Sequence, residues 1–407
     1  MKSVDEHLAD ILAGVEPLPA LDLGLLDTLG CVLAEDVVSA IDLPGFDNSS
    51  MDGYAVALAD LAGASSESPV RLPVLGDIPA GSSGAEALSP GTTIRIMTGA
   101  PVPGGAQAVV PQEWTDQGTP EVSISREPPD GANIRRRGED VRSGDVILTR
   151  GTTIGATQIG LLAAVGRERV VVHPRPRVVV LSTGSELVEP GASLGPGQIH
   201  DSNSYLLTAA VREAGGIAYR IAALPDDPRG LIHAIEDQLG RADVIVTSGG
   251  VSVGAYDVVK EVLSRSGTVE FVTVAMQPGK PQGQGTIGPD NIPIITLPGN
   301  PVSAFVSFEV FVRPLLRWLS GASRIHRPTV TAVLTDAMRS PAGRRQFSRA
   351  TLAVESGHYV ARPVGGPGSH LLGALARANA LIIVPEGVTA VPAGDAVTVM
   401  VLEDPLS

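Results

Sequence analysis

Between residues 176 and 320 the chain alternates short, almost wholly apolar runs with amphipathic stretches, and this alternation restricts the fold more than any other feature. Arg177 to Ser182, Ile217 to Leu224, Asp243 to Thr247, Val269 to Ala275 and Pro293 to Leu297 read as strands, several continuous enough to be buried on both faces. Ser204 to Glu213, Pro228 to Leu239, Tyr256 to Ser264 and Val302 to Leu319 read as helices between or after them. Such a βαβ series predicts a doubly wound, mostly parallel sheet. Ligands of these sheets bind beyond the carboxyl ends of the strands, so the loops there carry the functional reading.

The flanks have a different texture. Ser3 and Glu6 form a capping box, and Val4, Leu8, Ile11, Leu12 and Val15 follow at helical spacing. From about 45 to 150, β-prone pieces (Thr92 to Met97, Ala108 to Val110, Val122 to Ser125, Asp145 to Leu148) are separated by Gly, Pro and Asp turns, which predicts a small all-β unit. A helix is predicted over Ala156 to Val165, and strands return at Thr329 to Leu334, Tyr359 to Arg362, Leu381 to Val384 and Ala396 to Leu402. A chain of 407 residues with 47 Gly and 33 Pro therefore reads as several domains joined by many tight turns.

A net charge of −14 argues against nucleic acid as a partner. Cys31 is the single cysteine, which excludes an intramolecular disulfide and a cysteine metal cage, and the seven histidines never occur at metal-ligand spacing. The first residues lack a signal-peptide pattern and no apolar run approaches about 18 residues, so the expected location is cytoplasmic, away from membranes.

Three polar glycine loops follow predicted strands on one sheet edge: Ser182-Thr183-Gly184-Ser185-Glu186, Ser248-Gly249-Gly250-Val251-Ser252-Val253-Gly254, and Pro298-Gly299-Asn300-Pro301-Val302-Ser303. Any one alone would be read as a tight turn; together they point to backbone N–H groups gathered around a phosphate-bearing ligand. Pro301 sits where the first turn of the last helix would begin, with Asn300 as its expected N-cap. Loop carboxylates at Asp52, Asp140, Glu186, Asp201, Asp226 and Asp257 supply the donors that Mg²⁺ takes beside phosphate oxygens, although an Asp-Gly pair is often only a turn and Glu139-Asp140 follows three arginines that could pair with it. Lys280, flanked by Gly279 and Pro281 that should keep its backbone exposed, is expected to hold an anion; Pro281 and the missing spacer rule out a Walker A loop. Gly250 to Gly254 also spells the nucleophile-elbow string around Ser252, but Ser248-Gly249-Gly250 intervene after the strand and loosen the turn.

Taken in order, Pro44 to Ala55 (PGFDNSSMDGYA), Arg95 to Pro103 (RIMTGAPVP), Asn133 to Asp140 (NIRRRGED), Ser248 to Gly254 and Leu297 to Ala304 (LPGNPVSA) resemble the motifs of the molybdopterin molybdenumtransferase family, which includes bacterial MoeA and the gephyrin C-terminal domain. The resemblance runs from about residue 5 to 400. It implies an α/β multidomain chain: an elongated linker domain from 1–47 and 139–174, an inserted β domain over 48–138, a molybdopterin-binding α/β domain over 175–322 and a C-terminal β domain over 323–407. It implies an elongated homodimer in which the inserted domain of one subunit faces the α/β domain of the other. The implied reaction inserts molybdenum from molybdate into adenylylated molybdopterin, with Mg²⁺-dependent hydrolysis and release of AMP. The molybdopterin adenylyltransferase and recipient molybdoenzymes are the implied protein partners.

Carried over by position, the resemblance gives Asp52, Asp140, Glu186, Asp257 and Lys280 as catalytic residues, with Asp52 or Asp257 on the metal. Thr98, Thr183, Gly184, Asp226 (with Asp227 adjoining it), Ser248, Gly249, Gly250, Ser252, Pro298, Asn300, Pro301, Ser303 and Ser369 become substrate contacts. Three departures carry expectations. Gln277 stands where the family commonly has Lys, which predicts weaker binding of molybdate or phosphate; Ser185 stands where it has Asp, so one carboxylate is lost; Gln282-Gly283-Gln284-Gly285 lacks the usual aromatic, which predicts altered pterin stacking. The rival reading is a scaffold of the same fold that binds pterin without catalysis.

Overall fold

The computed structural model describes residues 1–83, 87–225, 227–250, 263 and 268–403. Its central sheet contains β1 (Arg177–Ser182), β2 (Ile217–Arg220), β3 (Val244–Ser248), β4 (Glu270–Thr273), β5 (Pro281–Ile287) and β6 (Ile292–Leu297), in spatial order β2-β1-β3-β6-β5-β4. The first four are parallel neighbours, with Ser182 opposite Ser248 and Ser248 opposite Leu297; β5 runs antiparallel to both β6 and β4. Side chains alternate across a strand. Val178, Val180, Val244 and Val246 accordingly enter one core with the helix Asn203–Glu213 and the last helix, while Val179, Leu181, Ile245 and Ile294 enter a second with Leu231 and Ile235 of the helix Pro228–Glu236. Covering both faces explains why these strands read as unbroken apolar runs.

The strand β5 was not legible, because Gln282-Gly283-Gln284-Gly285 has neither apolar alternation nor β-branched residues. Its glycines answer close approach instead. A Cβ on Gly283 would lie 2.0 Å from Thr296 Oγ1, and one on Gly285 would lie 2.5 Å from the Thr268 carbonyl oxygen. The helix predicted over Tyr256 to Ser264 falls outside the described residues except for Leu263, which is buried in the second core. The continuous helix predicted over Val302 to Leu319 is instead two α-helical pieces, Pro301–Ser307 and Arg313–Leu319, joined by a π turn over Phe308–Val312. Pro314 cannot donate an amide hydrogen, and the wider turn just before it accommodates that loss.

The flanks form separate sheets. Gly53–Val56, Val70–Ile78, Thr93–Ile96, Ala108–Pro111 and Glu121–Ile124 make a five-stranded sheet. The piece at Asp145 to Leu148 does not join it: Val146–Leu148 pairs with Val37–Val38, near a small sheet built from Leu21–Gly24, Val32–Leu33 and Arg169–His173. The predicted helix is present at Ala156–Ala164. The C-terminal sheet includes Arg345–Glu355, an 11-residue strand that sequence pattern missed because Arg345, Gln346 and Arg349 interrupt its apolar positions. Its edge is extended by Met276–Gln277, which pairs in parallel with Arg345 and Gln346. That pairing brings the Lys280 segment against the C-terminal unit. Among the described residues no helix is long and apolar enough to cross a membrane.

The opening helix, Val4–Leu12, carries the expected capping box, with Glu6 N donating to Ser3 Oγ at 3.1 Å and Ser3 N donating to Glu6 Oε2 at 2.8 Å. One turn in, His7 is fully buried, with its ring edge-on to Phe311 at 4.7 Å and neither ring nitrogen hydrogen-bonded. Burial pushes its pKa down to about 4. The unfolded chain takes up this proton near pH 6.5 and the folded chain does not until about pH 4, so stability present at neutral pH is lost as pH falls through that window. Denaturant unfolding at stepped pH should show a loss of about 3 kcal/mol attributable to this group, and His7→Leu should flatten that part of the profile. An unchanged profile in the variant would assign the acid sensitivity elsewhere.

Candidate active site

A polar crevice of about 520 Å³ opens at the carboxyl end of β6. Glu186, Lys280, Pro298, Asn300, Ser303 and Ser369 line it, all six among the predicted site residues, and they come from distant stretches of the α/β and C-terminal regions. Gln277, Gly299 and Arg344 complete the part that matters chemically. Arg344 was not foreseen. It is half-buried, and its Nη1 donates to the neutral Gln277 Oε1 at 3.3 Å, whereas the adjacent Arg345 is neutralised by Asp5 and Glu386. Among the described residues neither Lys280 nor Arg344 is paired with a carboxylate. Lys280 and Arg344 against Glu186 leave the described lining of this crevice positive in balance, within a chain of net charge −14.

The backbone contributes less than the sequence suggested. The amides of Thr183, Gly184 and Gly249 are already engaged, donating to Ser248, Leu224 and Leu297 carbonyl oxygens at 3.0, 3.1 and 3.2 Å. Parallel pairing continues past the strand ends and consumes these donors. Asn300 precedes the helix as expected, but its side chain makes no cap, and the amide of Val302 donates to the Ser369 carbonyl oxygen at 3.0 Å. Ser248 is 1% exposed and receives a hydrogen bond from Asn203 Nδ2 at 2.8 Å, so its hydroxyl serves the scaffold rather than a ligand. Thr183, Gly184, Gly249, Gly250 and Pro301 stand behind or beside the crevice without lining it.

The backbone around Lys280 is also more enclosed than expected. Pro278 and Gly279 are buried, and the Lys280 carbonyl oxygen accepts from the Val274 amide at 2.8 Å, leaving only the lysine side chain exposed. Gln282, at the position expected to affect pterin stacking, is 1% exposed and turned inward onto Ser307 Oγ at 2.6 Å. Glu186 is exposed and folds back over Gly184, where a Cβ would lie 2.7 Å from its Oε2.

The inserted domain holds a second cluster that is not part of this crevice within one chain. Asp52 Oδ1 accepts from Thr98 N at 2.7 Å and from Thr98 Oγ1 at 2.8 Å, and these bonds, led by the backbone one, hold its pKa below the usual carboxylate value. Its Oδ2 has no hydrogen bond among the described residues. Asp140 is exposed and its amide donates to Leu43, while the neighbouring arginines are occupied: Arg136 and Arg137 pair with Asp47 and Asp42. Asp140 is thus no member of that ion-pair cluster. Asp201 proves to be a helix cap, accepting from Ser204 N at 3.0 Å, and Asp227 caps the helix Pro228–Glu236 through Gly230 N at 2.7 Å. Asp226, Ser252 and Asp257 lie outside the described residues.

Comparison with known proteins agrees with this layout. Family models for the MoeA N-terminal region (domain I and II), a probable molybdopterin binding domain and the MoeA C-terminal region (domain IV) match residues 2–166, 179–318 and 331–402. The chain belongs to the MoeA family. It is 48% identical to molybdopterin molybdenumtransferase 2 of Mycobacterium tuberculosis over 97% of this chain and 98% of that one, and 38% identical to the Haemophilus influenzae molybdopterin molybdenumtransferase over 93% and 92%. A crystal structure of a molybdopterin biosynthesis MoeA protein from Pyrococcus horikosii superposes with a TM-score of 0.80 at 33% identity, covering 99% of both chains. The expected family, the multidomain α/β fold and the assignment to an enzyme of molybdenum cofactor biosynthesis accord with these relatives. Within the MoeA framework, motif reading passed over Arg344, which lines the crevice, and Asn203, which stands behind it, since each lies in a polar segment with no recognisable spacing.

Proposed function

We propose that this chain is a molybdopterin molybdenumtransferase that binds adenylylated molybdopterin and molybdate in the crevice bearing Lys280 and Arg344, and releases AMP. The observation that carries the reading is the meeting of Glu186, Ser303, Ser369 and two cations that no carboxylate pairs among the described residues, in one polar hollow at the carboxyl edge of the sheet. Hydrolysis of a phosphoanhydride needs negative charge neutralised at the phosphate oxygens as a water oxygen bonds to phosphorus and the bridging P–O bond breaks. Lys280 Nζ and the Arg344 guanidinium supply that charge. Ser303 and Ser369 offer hydroxyls to orient the oxyanion, and Glu186, the carboxylate lining the crevice, accepts the proton from the water.

Mg²⁺ fits the donor set on the inserted domain. Asp52 is held ionised by Thr98 with one oxygen free, and a hard cation takes one or two carboxylates together with phosphate oxygens. When bound, the ion would add charge neutralisation at the phosphates. Asp52, Thr98 and Asp140 reach the ligand from the partner subunit of a homodimer in this reading, with Asp140 facing the substrate. Asp257 and Asp226 complete the set by family position, as do Thr183, Gly184, Gly249, Gly250, Ser252 and Pro301 around the pterin. The linker, inserted, α/β and C-terminal boundaries at 1–47 with 139–174, 48–138, 175–322 and 323–407 belong to the same proposal, as do a cytoplasmic location, an adenylyltransferase that supplies the substrate and molybdoenzymes that receive the product.

Purified protein given adenylylated molybdopterin, Mg²⁺ and molybdate should release AMP, measured by chromatography, and Glu186→Gln should slow that release by about 10²-fold or more. Tight pterin binding with no AMP would establish the scaffold instead.

A further inference from the structure

Two loops of the same form face the crevice, Pro278-Gly279-Lys280-Pro281 and Pro298-Gly299-Asn300-Pro301. Each is held at its glycine carbonyl by one side-chain amide. Gln282 Nε2 donates to Gly279 O and to Ser307 Oγ, both at 2.6 Å; Asn203 Nδ2 donates to Gly299 O at 2.6 Å and to Ser248 Oγ at 2.8 Å. In both amides the NH₂ group uses both hydrogens, while Gln282 Oε1 and Asn203 Oδ1 are sealed from solvent without a partner. An idle buried carbonyl is unfavourable, so the favourable contribution of these side chains comes from what their donors hold.

The anchors are firm. Ser307 lies one helical turn beyond Ser303, and Ser248 closes β3; they are 0% and 1% exposed. The first turn around Asn203 is fixed by buried Asp201, whose Oδ2 accepts from Ser204 Oγ at 2.5 Å. Gly279, at φ +98°, is packed so closely that a Cβ would lie 2.7 Å from Ser307 Oγ.

We propose that Gln282 and Asn203 are positioning residues that set the separation of the two Pro-Gly-X-Pro loops, and with it the aperture between Lys280 and Asn300 that a phosphate-bearing ligand must fit. The ligand class rests on the proposed function; the clamps themselves rest on the hydrogen bonds. Replacing each amide by a side chain of similar size without donors, Gln282→Met and Asn203→Leu, should free the loops while keeping the packing.

Calorimetric titration of the full-length protein with AMP in the presence of Mg²⁺ should show affinity reduced about tenfold or more in each variant, at a melting temperature within a few degrees of wild type. The Michaelis constant for adenylylated molybdopterin should rise with little change in maximal rate, and amide hydrogen exchange should quicken at Gly279–Lys280 in the first variant and Gly299–Asn300 in the second. If either variant fails to fold, Gln282→Glu and Asn203→Asp keep the shape but turn an acceptor toward the glycine carbonyl, and they should weaken AMP in the same way. AMP affinity within twofold of wild type in the folded variants overturns the proposal. Should wild type bind no AMP, the nucleotide reading falls on its own, and unchanged local exchange in the variants would then overturn the clamps.

Discussion

Co-expression of Asp52→Asn chains with Lys280→Ala chains is expected to restore about one quarter of wild-type AMP release, although each variant alone is nearly inactive. The crevice of one chain contains Lys280, Arg344 and Glu186 but neither Asp52 nor Thr98, so in the proposed homodimer each site joins the inserted domain of one subunit to the α/β domain of the other. Random pairing makes half the dimers mixed. Each mixed dimer carries one site with both residues intact and one with neither, which gives the quarter. Removal of Lys280 alone should cost about 10²- to 10³-fold in rate, the scale for losing a charged donor at a developing oxyanion. Differently tagged chains, purified through both tags, would isolate the mixed species. An inactive mixed dimer would place Asp52 and Lys280 in one chain's site, and an active Asp52→Asn homodimer would place Asp52 outside it.

The Arg344 guanidinium alters what the Gln277 departure means. Sequence comparison predicts weaker anion binding because a commonly found lysine is absent at 277, yet the structure brings an arginine from the C-terminal unit to the Gln277 side chain. A positive charge therefore stands beside the neutral residue at 277. Such a contribution is invisible to motif reading, because it depends on the parallel pairing of Met276–Gln277 with Arg345 and Gln346, some 70 residues away.

The same distinction explains what else was legible. Strands buried on both faces declare themselves by apolar runs, and the loops that follow them inherit their place at the sheet's carboxyl edge, where Glu186, Pro298, Asn300 and Ser303 line one crevice. Glycine and glutamine gave no such signal in β5, where close approach to Thr296 and Thr268 selects small residues. Roles inside the site were harder still. Ser248 and Ser303 look alike in sequence, but one hydroxyl is held by Asn203 and the other faces the crevice, a difference set by helix and strand packing. Asp201, Asp140 and Asp52 all read as loop acids; only their partners separate a helix cap, an unpaired surface acid and a carboxylate oriented by threonine.

Glu309→Ala should cost about 3–5 kcal/mol in the docking of the C-terminal unit. Glu309 lies in the π turn of the last α/β-domain helix, is 2% exposed, and accepts from Arg327 Nε at 2.8 Å and Nη2 at 3.0 Å, with Arg313 Nε at 3.9 Å. Arg327 in turn donates to the Leu402 carbonyl oxygen at 2.7 Å, so one carboxylate connects the helix to both ends of the C-terminal sheet. Alanine leaves the largely buried Arg313 and Arg327 guanidinium groups with only the exposed Glu213, 3.6 Å from Arg327 Nη2, as a counter-charge, whereas Glu309→Leu combined with Arg327→Met removes one carboxylate and one guanidinium together and should lose less than the single change. Denaturant unfolding followed by limited proteolysis would detect early release of residues 327 to 403. Because Arg344 and Ser369 reach the crevice only through this unit, AMP binding should weaken in step with its release. Normal AMP affinity in a chain whose C-terminal unit has come away would show that the anion is held by Lys280 and the α/β loops without them.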